Sequence, residues 1–198
     1  MTRPVAVAIT GGIGAGKSEA LNAFARHGAA TISSDEIVHR LLRHDPEVRD
    51  ALRERFGKRV FLKDGSVDRG KVAEIVFADR EQLAWLEALL HPRVVREYMA
   101  WRDELGRSDR PPLACVTEVP LLYEVGGETR FDAVVVVTAP AEVRAGRTEL
   151  ATDSRGARLL PDEEKVARAD FAYVNDGSLE ELDAFVGDVL SELERRTR

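Results

Sequence analysis

The chain has 198 residues, 44% of them hydrophobic and 32% charged, with a formal net charge of −6 and a pI near 5.4. This is enough apolar material for one compact domain with elaborations, and the balance excludes a disordered or fibrous chain. An acidic chain also lacks the basic field of a general nucleic-acid binder, although a phosphate site needs only local positive charge.

Met1-Thr2-Arg3-Pro4 runs straight into Val5-Ala6-Val7-Ala8-Ile9, without the apolar core and cleavage site of a signal peptide. That β-rich run, closed by glycines, predicts a buried strand. Residues 18–27 follow with helical spacing, Leu21, Phe24 and Ala25 sharing a face, and Gly28 ends the helix. Residues 29–32 predict a second strand. Ser33-Ser34-Asp35-Glu36 opens a helix carrying Ile37, Val38, Leu41 and Leu42, and Asp45-Pro46 stops it and starts another. From there to about Gly106 the pattern is helical. Its stripes are Val48, Leu52 and Phe56, then Val72, Ile75 and Val76, then Leu83, Leu86, Leu90 and Val94, with a turn at 63–66 and no strand pair.

After Arg110-Pro111-Pro112, residues 113–119 return to strand. The single cysteine, Cys115, lies there and reads as core; alone, it permits neither an intrachain disulfide nor a zinc framework. Residues 131–137 make the strongest strand, four consecutive valines, yet far too short to span a bilayer. Residues 140–168 are charged and mostly helical, 171–174 predict a last strand and 179–193 a last amphipathic helix. Runs apolar on both faces suit a parallel sheet covered by helices. The expected fold is therefore α/β, a three-layer doubly wound parallel sheet. A soluble cytoplasmic protein is expected, monomer or small homo-oligomer, with no nucleic-acid or membrane partner.

Gly11-Gly12-Ile13-Gly14-Ala15-Gly16-Lys17-Ser18 matches G-x-x-x-x-G-K-[ST] in full, between a predicted strand and a predicted helix. Glycines let backbone N–H groups curl around phosphate oxygens where a Cβ would intrude. The helix that starts near Gly16 aims its free N–H groups and dipole at the same anion. Lys17 reaches the outer phosphates and Ser18 offers a hydroxyl to Mg²⁺. Residues 12–19 thus read as an ATP site. Glu19 contributes its backbone N–H, and its carboxylate must point away from the phosphates.

These residues are similar to a known family. Thr10 to Ser18 resembles the T-G-G-I-G-S-G-K-S loop of dephospho-CoA kinases. Ile32-Ser33-Ser34-Asp35 resembles the family's I-D-A-D, with Ser33 in place of the first Asp. Leu89-Leu90-His91-Pro92 resembles L-x-H-P, Val119-Pro120-Leu121-Leu122-Tyr123-Glu124 resembles V-P-L-L-F-E, and Ala169-Asp170 with Asn175 and Gly177 resembles A-D-x-V-I-x-N-x-G. The resemblance implies a P-loop kinase that passes the γ-phosphoryl of ATP to the ribose 3′-hydroxyl of dephospho-CoA, with Mg²⁺ as cofactor. It implies a nucleotide-binding core (1–44, 112–139 and 169–198), a helical CoA domain (45–111) and a lid (140–168). Alternatives are another P-loop small-molecule kinase, such as a nucleoside monophosphate kinase, or a degenerate nucleotide-binding homologue.

Roles carried by the resemblance sit beside plainer readings. Asp35 would orient or deprotonate the attacking hydroxyl, but Ser33 and Glu36 also spell a capping box around it. Glu118 sits where an acid would hold Mg²⁺ through water. Thr10, Arg69, His91, Pro120 and Leu121 would meet the acceptor, although His91 before Pro92 also reads as the end of a helix. Arg147 would bridge phosphoryl oxygens during transfer, with Arg155 as its companion. The alternative is one solvated helix face made of Arg144, Arg147, Arg155 and Arg158. Asn175 would lie beside the adenine; Asn-x-Gly is also an ordinary turn.

Overall fold

The computed structural model describes residues 3–147 and 159–197, so Arg155 and Arg158 lie outside the described residues. In chain order the strands are β1 (Val5–Thr10), β2 (Ala30–Ser33), β3 (Ala114–Glu118), β4 (Ala133–Thr138) and β5 (Phe171–Val174). The helices are α1 (Lys17–Arg26), α2 (Ser34–His44), α3 (Pro46–Phe56), α4 (Arg69–Ala78), α5 (Arg80–Arg107), α6 (Ala141–Arg147), α7 (Asp162–Ala167) and α8 (Leu179–Thr197). The chain divides into two compact units: Met1–Ser33 with Arg102–Arg198, and Ser34–Trp101.

In the first unit the sheet order is β2-β3-β1-β4-β5, and every pairing is parallel. The central strands β1 and β4 are buried at every residue, which explains their unbroken apolar runs. Period-two alternation then sorts their side chains between two cores. Val5, Val7 and Ile9 pack with Phe24 of α1 and with Leu182, Val186 and Val189 of α8. Ala8, Val134 and Val136 face the other way, towards Leu122 and Tyr123. Among the described residues β5 pairs only with β4, and it alternates between half-buried and exposed, as an edge strand does. Registers Ile9↔Glu118 and Ser33↔Glu118 bring the ends of β1, β2 and β3 level at the carboxyl edge, where ligands of such sheets bind.

The second unit is helical, as its stripes predict. Asp45 caps α3 by accepting from Val48 N at 3.1 Å, with Pro46 in the first turn, and Asp68 caps α4 by accepting from Lys71 N at 3.1 Å. Two expectations change here. The turn near 63–66 carries a short antiparallel bridge, Phe61↔Val67, where no strand pair is predicted. His91-Pro92 does not end a helix: α5 runs for 28 residues with Pro92 inside it. Proline removes one N–H from the ladder, but the spacing Leu90, Val94, Tyr98 continues past it, and Leu90 and Tyr98 are both buried. Arg93 Nη1 also donates to Leu89 O at 2.8 Å, beside the interruption. No helix among the described residues is long and apolar enough to cross a membrane.

A surface cluster ties α1 to α8. Asp183 accepts from Arg26 Nε at 2.9 Å and lies 2.8 Å from His27 Nε2, and Arg26 also donates to Glu19 at 2.9 Å. Hydrogen bonds from His27 and Arg26 hold the Asp183 carboxyl below the usual carboxylate range. Its contribution to stability is therefore present above the ordinary carboxylate pKa and is lost as pH falls through the depressed value. Urea unfolding followed from about pH 7 down to about pH 3 should show an acid-side loss of stability that Asp183→Asn reduces. An unchanged acid limb in the variant would count against the cluster.

Candidate active site

The loop from Gly11 to Gly16 joins the end of β1 to α1. Its backbone is possible only because of its glycines. Gly11 has φ 142°, and a Cβ there would overlap the Val137 carbonyl of the neighbouring strand. Gly16 has φ 97° and is the N-cap of α1, and a Cβ would strike the Asn175 amide. Gly16 has no side chain to cap the first turn of α1, and among the described residues the N-cap makes no side-chain capping bond, which leaves N–H groups there to meet an anion.

Lys17 is 9% exposed. Its ammonium donates to Gly12 O at 3.0 Å and lies 3.9 Å from Glu118 Oε1. The other Glu118 oxygen accepts from Ser18 Oγ at 3.0 Å. The lysine, the hydroxyl and the carboxylate named from sequence thus meet at one point, and the β1–β3 register puts Glu118 there. Thr10 is fully buried, and its hydroxyl donates to Pro120 O at 3.4 Å. Its contact therefore runs to the loop after β3, where Pro120 and Leu121 are half-buried.

Three elements touch the loop. Asn175 is 5% exposed; its amide donates to Ala15 O at 2.9 Å, and its backbone N–H donates to Thr138 O at 2.7 Å. Arg147 Nη1 donates to Gly14 O at 3.4 Å. Arg144 Nη1 donates to Asp162 Oδ2 at 3.1 Å, and both groups lie against Gly12. Arg144 and Asp162 carry no local signal beyond a charged helix face, because their meeting point is set by how α6 and α7 pack. Glu19 contributes no charge to the loop's concave side: its carboxylate bonds Arg26 at 2.9 Å and Asn22 at 3.4 Å. Tyr123 is buried, and burial lifts its phenol above the ordinary range, so it stays neutral rather than acting as a base.

Asp35, Arg69 and His91 belong to the other unit. Asp35 lies in the first turn of α2 and is exposed; it follows two residues after Ser33, the register partner of Glu118. Arg69 opens α4, with Nη1 3.2 Å from His39 Nδ1. His91 is exposed within α5.

A parallel sheet in this order, with a lysine- and serine-bearing glycine loop at its carboxyl edge, is the P-loop kinase fold. Comparison with known proteins narrows the class. The dephospho-CoA kinase family model matches residues 5–181. A dephospho-CoA kinase from Streptomyces avermitilis is 39% identical over 197 residues, covering 96% of this chain and 94% of its own. One from Aquifex aeolicus is 33% identical, covering 96% and 97%. Among solved structures, one from Thermus thermophilus has 35% identity and a TM-score of 0.75, covering 97% of this chain and 99% of its own. A dephospho-CoA kinase from Campylobacter jejuni has 26% identity and a TM-score of 0.68, covering 97% and 98%. The chain belongs to the dephospho-CoA kinase family.

The bracing of the loop can be tested through Asn175. Asn175→Ala removes the donor to Ala15 O without adding bulk. The expected result is an ATP dissociation constant raised about tenfold by titration calorimetry, the effect of losing one buried hydrogen bond. Unchanged affinity would mean the loop holds its shape alone.

Proposed function

We propose that this enzyme transfers the γ-phosphoryl group of ATP to the ribose 3′-hydroxyl of dephospho-CoA, giving coenzyme A and ADP. The observation that carries the reading is the convergence of Lys17, Ser18 and Glu118 at the carboxyl edge of the sheet in a chain of this family. The family membership does not favour a nucleoside monophosphate kinase or a degenerate homologue.

The donor triphosphate binds to residues 12–19. Backbone N–H groups of the loop and of the first turn of α1 hold the phosphates. The Lys17 ammonium exchanges the Gly12 carbonyl for phosphate oxygens. Ser18 and Glu118 present hydroxyl and carboxylate oxygens 3.0 Å apart, hard donors that suit Mg²⁺, and they would hold it. When bound, the ion offsets phosphate charge. Asp35 orients the acceptor hydroxyl and takes its proton as the oxygen forms a bond to Pγ and the bond from Pγ to the ADP oxygen breaks. Arg147 meets the charge spread over the phosphoryl oxygens. Arg69, His91, Pro120 and Leu121 contact the acceptor, Thr10 supports the loop that carries Pro120 rather than touching the acceptor itself, Asn175 holds the loop on the donor side, and residues 45–111 supply most of the CoA site. With a net charge of −6, the enzyme lacks the basic field of a general nucleic-acid binder.

The wild-type chain should convert dephospho-CoA to coenzyme A with ATP and Mg²⁺, followed as the gain of one phosphoryl group by mass, and Lys17→Ala should not. No conversion by the wild type overturns the reading. Asp35→Asn should lower kcat about 10²- to 10⁴-fold while ATP affinity persists, as loss of a general base does. An unchanged kcat would remove Asp35 from the chemistry.

A further inference from the structure

Helix α6 presents two arginines one turn apart, Arg144 and Arg147, so both side chains lie on one face. Arg147 reaches the loop at Gly14 O. Arg144 reaches it two residues earlier: a Cβ on Gly12 would come within 2.6 Å of Arg144 Nη1 and 3.2 Å of Asp162 Oδ1. The Arg144–Asp162 pair therefore rests on bare loop backbone. Its side chains are 29% and 21% exposed, which leaves it neither sealed in the core nor freely solvated.

A carboxylate beside a polyphosphate site is a cost. Asp162 repels phosphates unless a cation offsets it, and Arg144 is the cation paired with it. A guanidinium has five N–H donors in a planar fork, and the Asp162 contact uses one of its nitrogens. Such a fork can hold a carboxylate on one side and phosphate oxygens on the other.

Asp162 is itself fixed from both sides. Two residues before it, Leu160 N donates to Glu124 Oε1 at 2.9 Å. Three residues after it, the fully buried Lys165 places Nζ 2.9 Å from the same oxygen. The angles there fall short of a hydrogen bond, and Lys165 Nζ and Glu124 Oε2 have no other hydrogen-bond partner among the described residues. An ion pair so buried and so poorly satisfied does little for stability, and its best-attested use is to fix register. Here it pins the segment from Leu160 to Lys165 to the loop after β3. Glu124 closes a sequence pattern in which no other role falls to it.

We infer that Arg144 is a second cation for the donor triphosphate, beside Arg147, and that Asp162 is the positioning residue that holds its guanidinium over Gly12. The inference rests on the proposed function only for the donor nucleotide.

The test is a double-mutant cycle on the affinity of the full-length chain for Mg·ATP, read by titration calorimetry without acceptor. Arg144→Ala should raise the dissociation constant about tenfold, the loss of a charge-assisted contact, and Arg144→Lys should recover part of it. Asp162→Ala should raise it about threefold in the parent but lower it in the Arg144→Ala background, where the carboxylate no longer has its cation. Thermal unfolding of each variant reports the structural share; if Arg144→Ala unfolds, Arg144→Lys and Arg144→Gln carry the same comparison. The inference is overturned by unchanged affinity in the Arg144 variants, by independent multiplication of the two effects, or by tighter binding in Asp162→Ala alone. Coupling without CoA formation by the wild type would leave this inference standing and remove the proposed function; CoA formation without coupling would do the reverse.

Discussion

A lysine ammonium buried to nine-tenths must be solvated by protein, and Lys17 sets that demand at the centre of the first unit. The Gly12 carbonyl turns inwards to accept from it, and Glu118 stands 3.9 Å away. That carbonyl can turn only in a loop as tightly wound as 11–16, and Glu118 is in reach only if β3 lies beside β1 in the register Ile9↔Glu118. The parallel sheet, buried on both faces, is what makes that register rigid. Sheet, loop and charge are therefore one arrangement: a slip of one residue between β1 and β3 would turn Glu118 to the other face, away from the ammonium.

Around this centre the loop is held by parts of the chain far from it in sequence. Asn175 fastens Ala15 from the turn after β5, and α6 touches Gly14 and Gly12. Glu19, whose charge is awkward so near a phosphate site, is drawn outwards into the surface cluster with Arg26, which Asp183 shares. The same cluster joins α1 to α8, so neutralising Glu19 and clasping two helices are done by the same arginine.

What could be read from sequence follows from how local each signal is. The glycine loop is legible because its chemistry is written within eight consecutive residues, and the strands because sheet interiors demand unbroken apolar runs. The partnership of Ser18 with Glu118 is legible only through resemblance, since one hundred residues separate them. The continuation of α5 past His91-Pro92 is half legible: the stripe Leu83, Leu86, Leu90 and Val94 crosses a proline that is itself a strong stop signal, and packing of the Leu90–Val94–Tyr98 face carries the helix through. The Phe61↔Val67 bridge is hidden because a two-residue pairing around a turn leaves no alternation to see. The pairing of Arg144 with Asp162 has no local mark, because both look like ordinary residues of charged helices.

The three glycines at 11, 12 and 16 look alike in sequence but are not equally replaceable. The obstacle at Gly11 is a strand carbonyl, part of the sheet itself, and no change elsewhere in the chain can remove it. At Gly12 and Gly16 the obstacles are side chains, Arg144 with Asp162 and Asn175, and those can be shortened. Gly12, whose φ is not in the left-handed region, is the one that could exchange for alanine together with a smaller neighbour. Sterically, position 12 is therefore tied to positions 144 and 162, and room for a side chain there comes only at the expense of the Arg144–Asp162 pair, while position 11 has no neighbour whose change would make room.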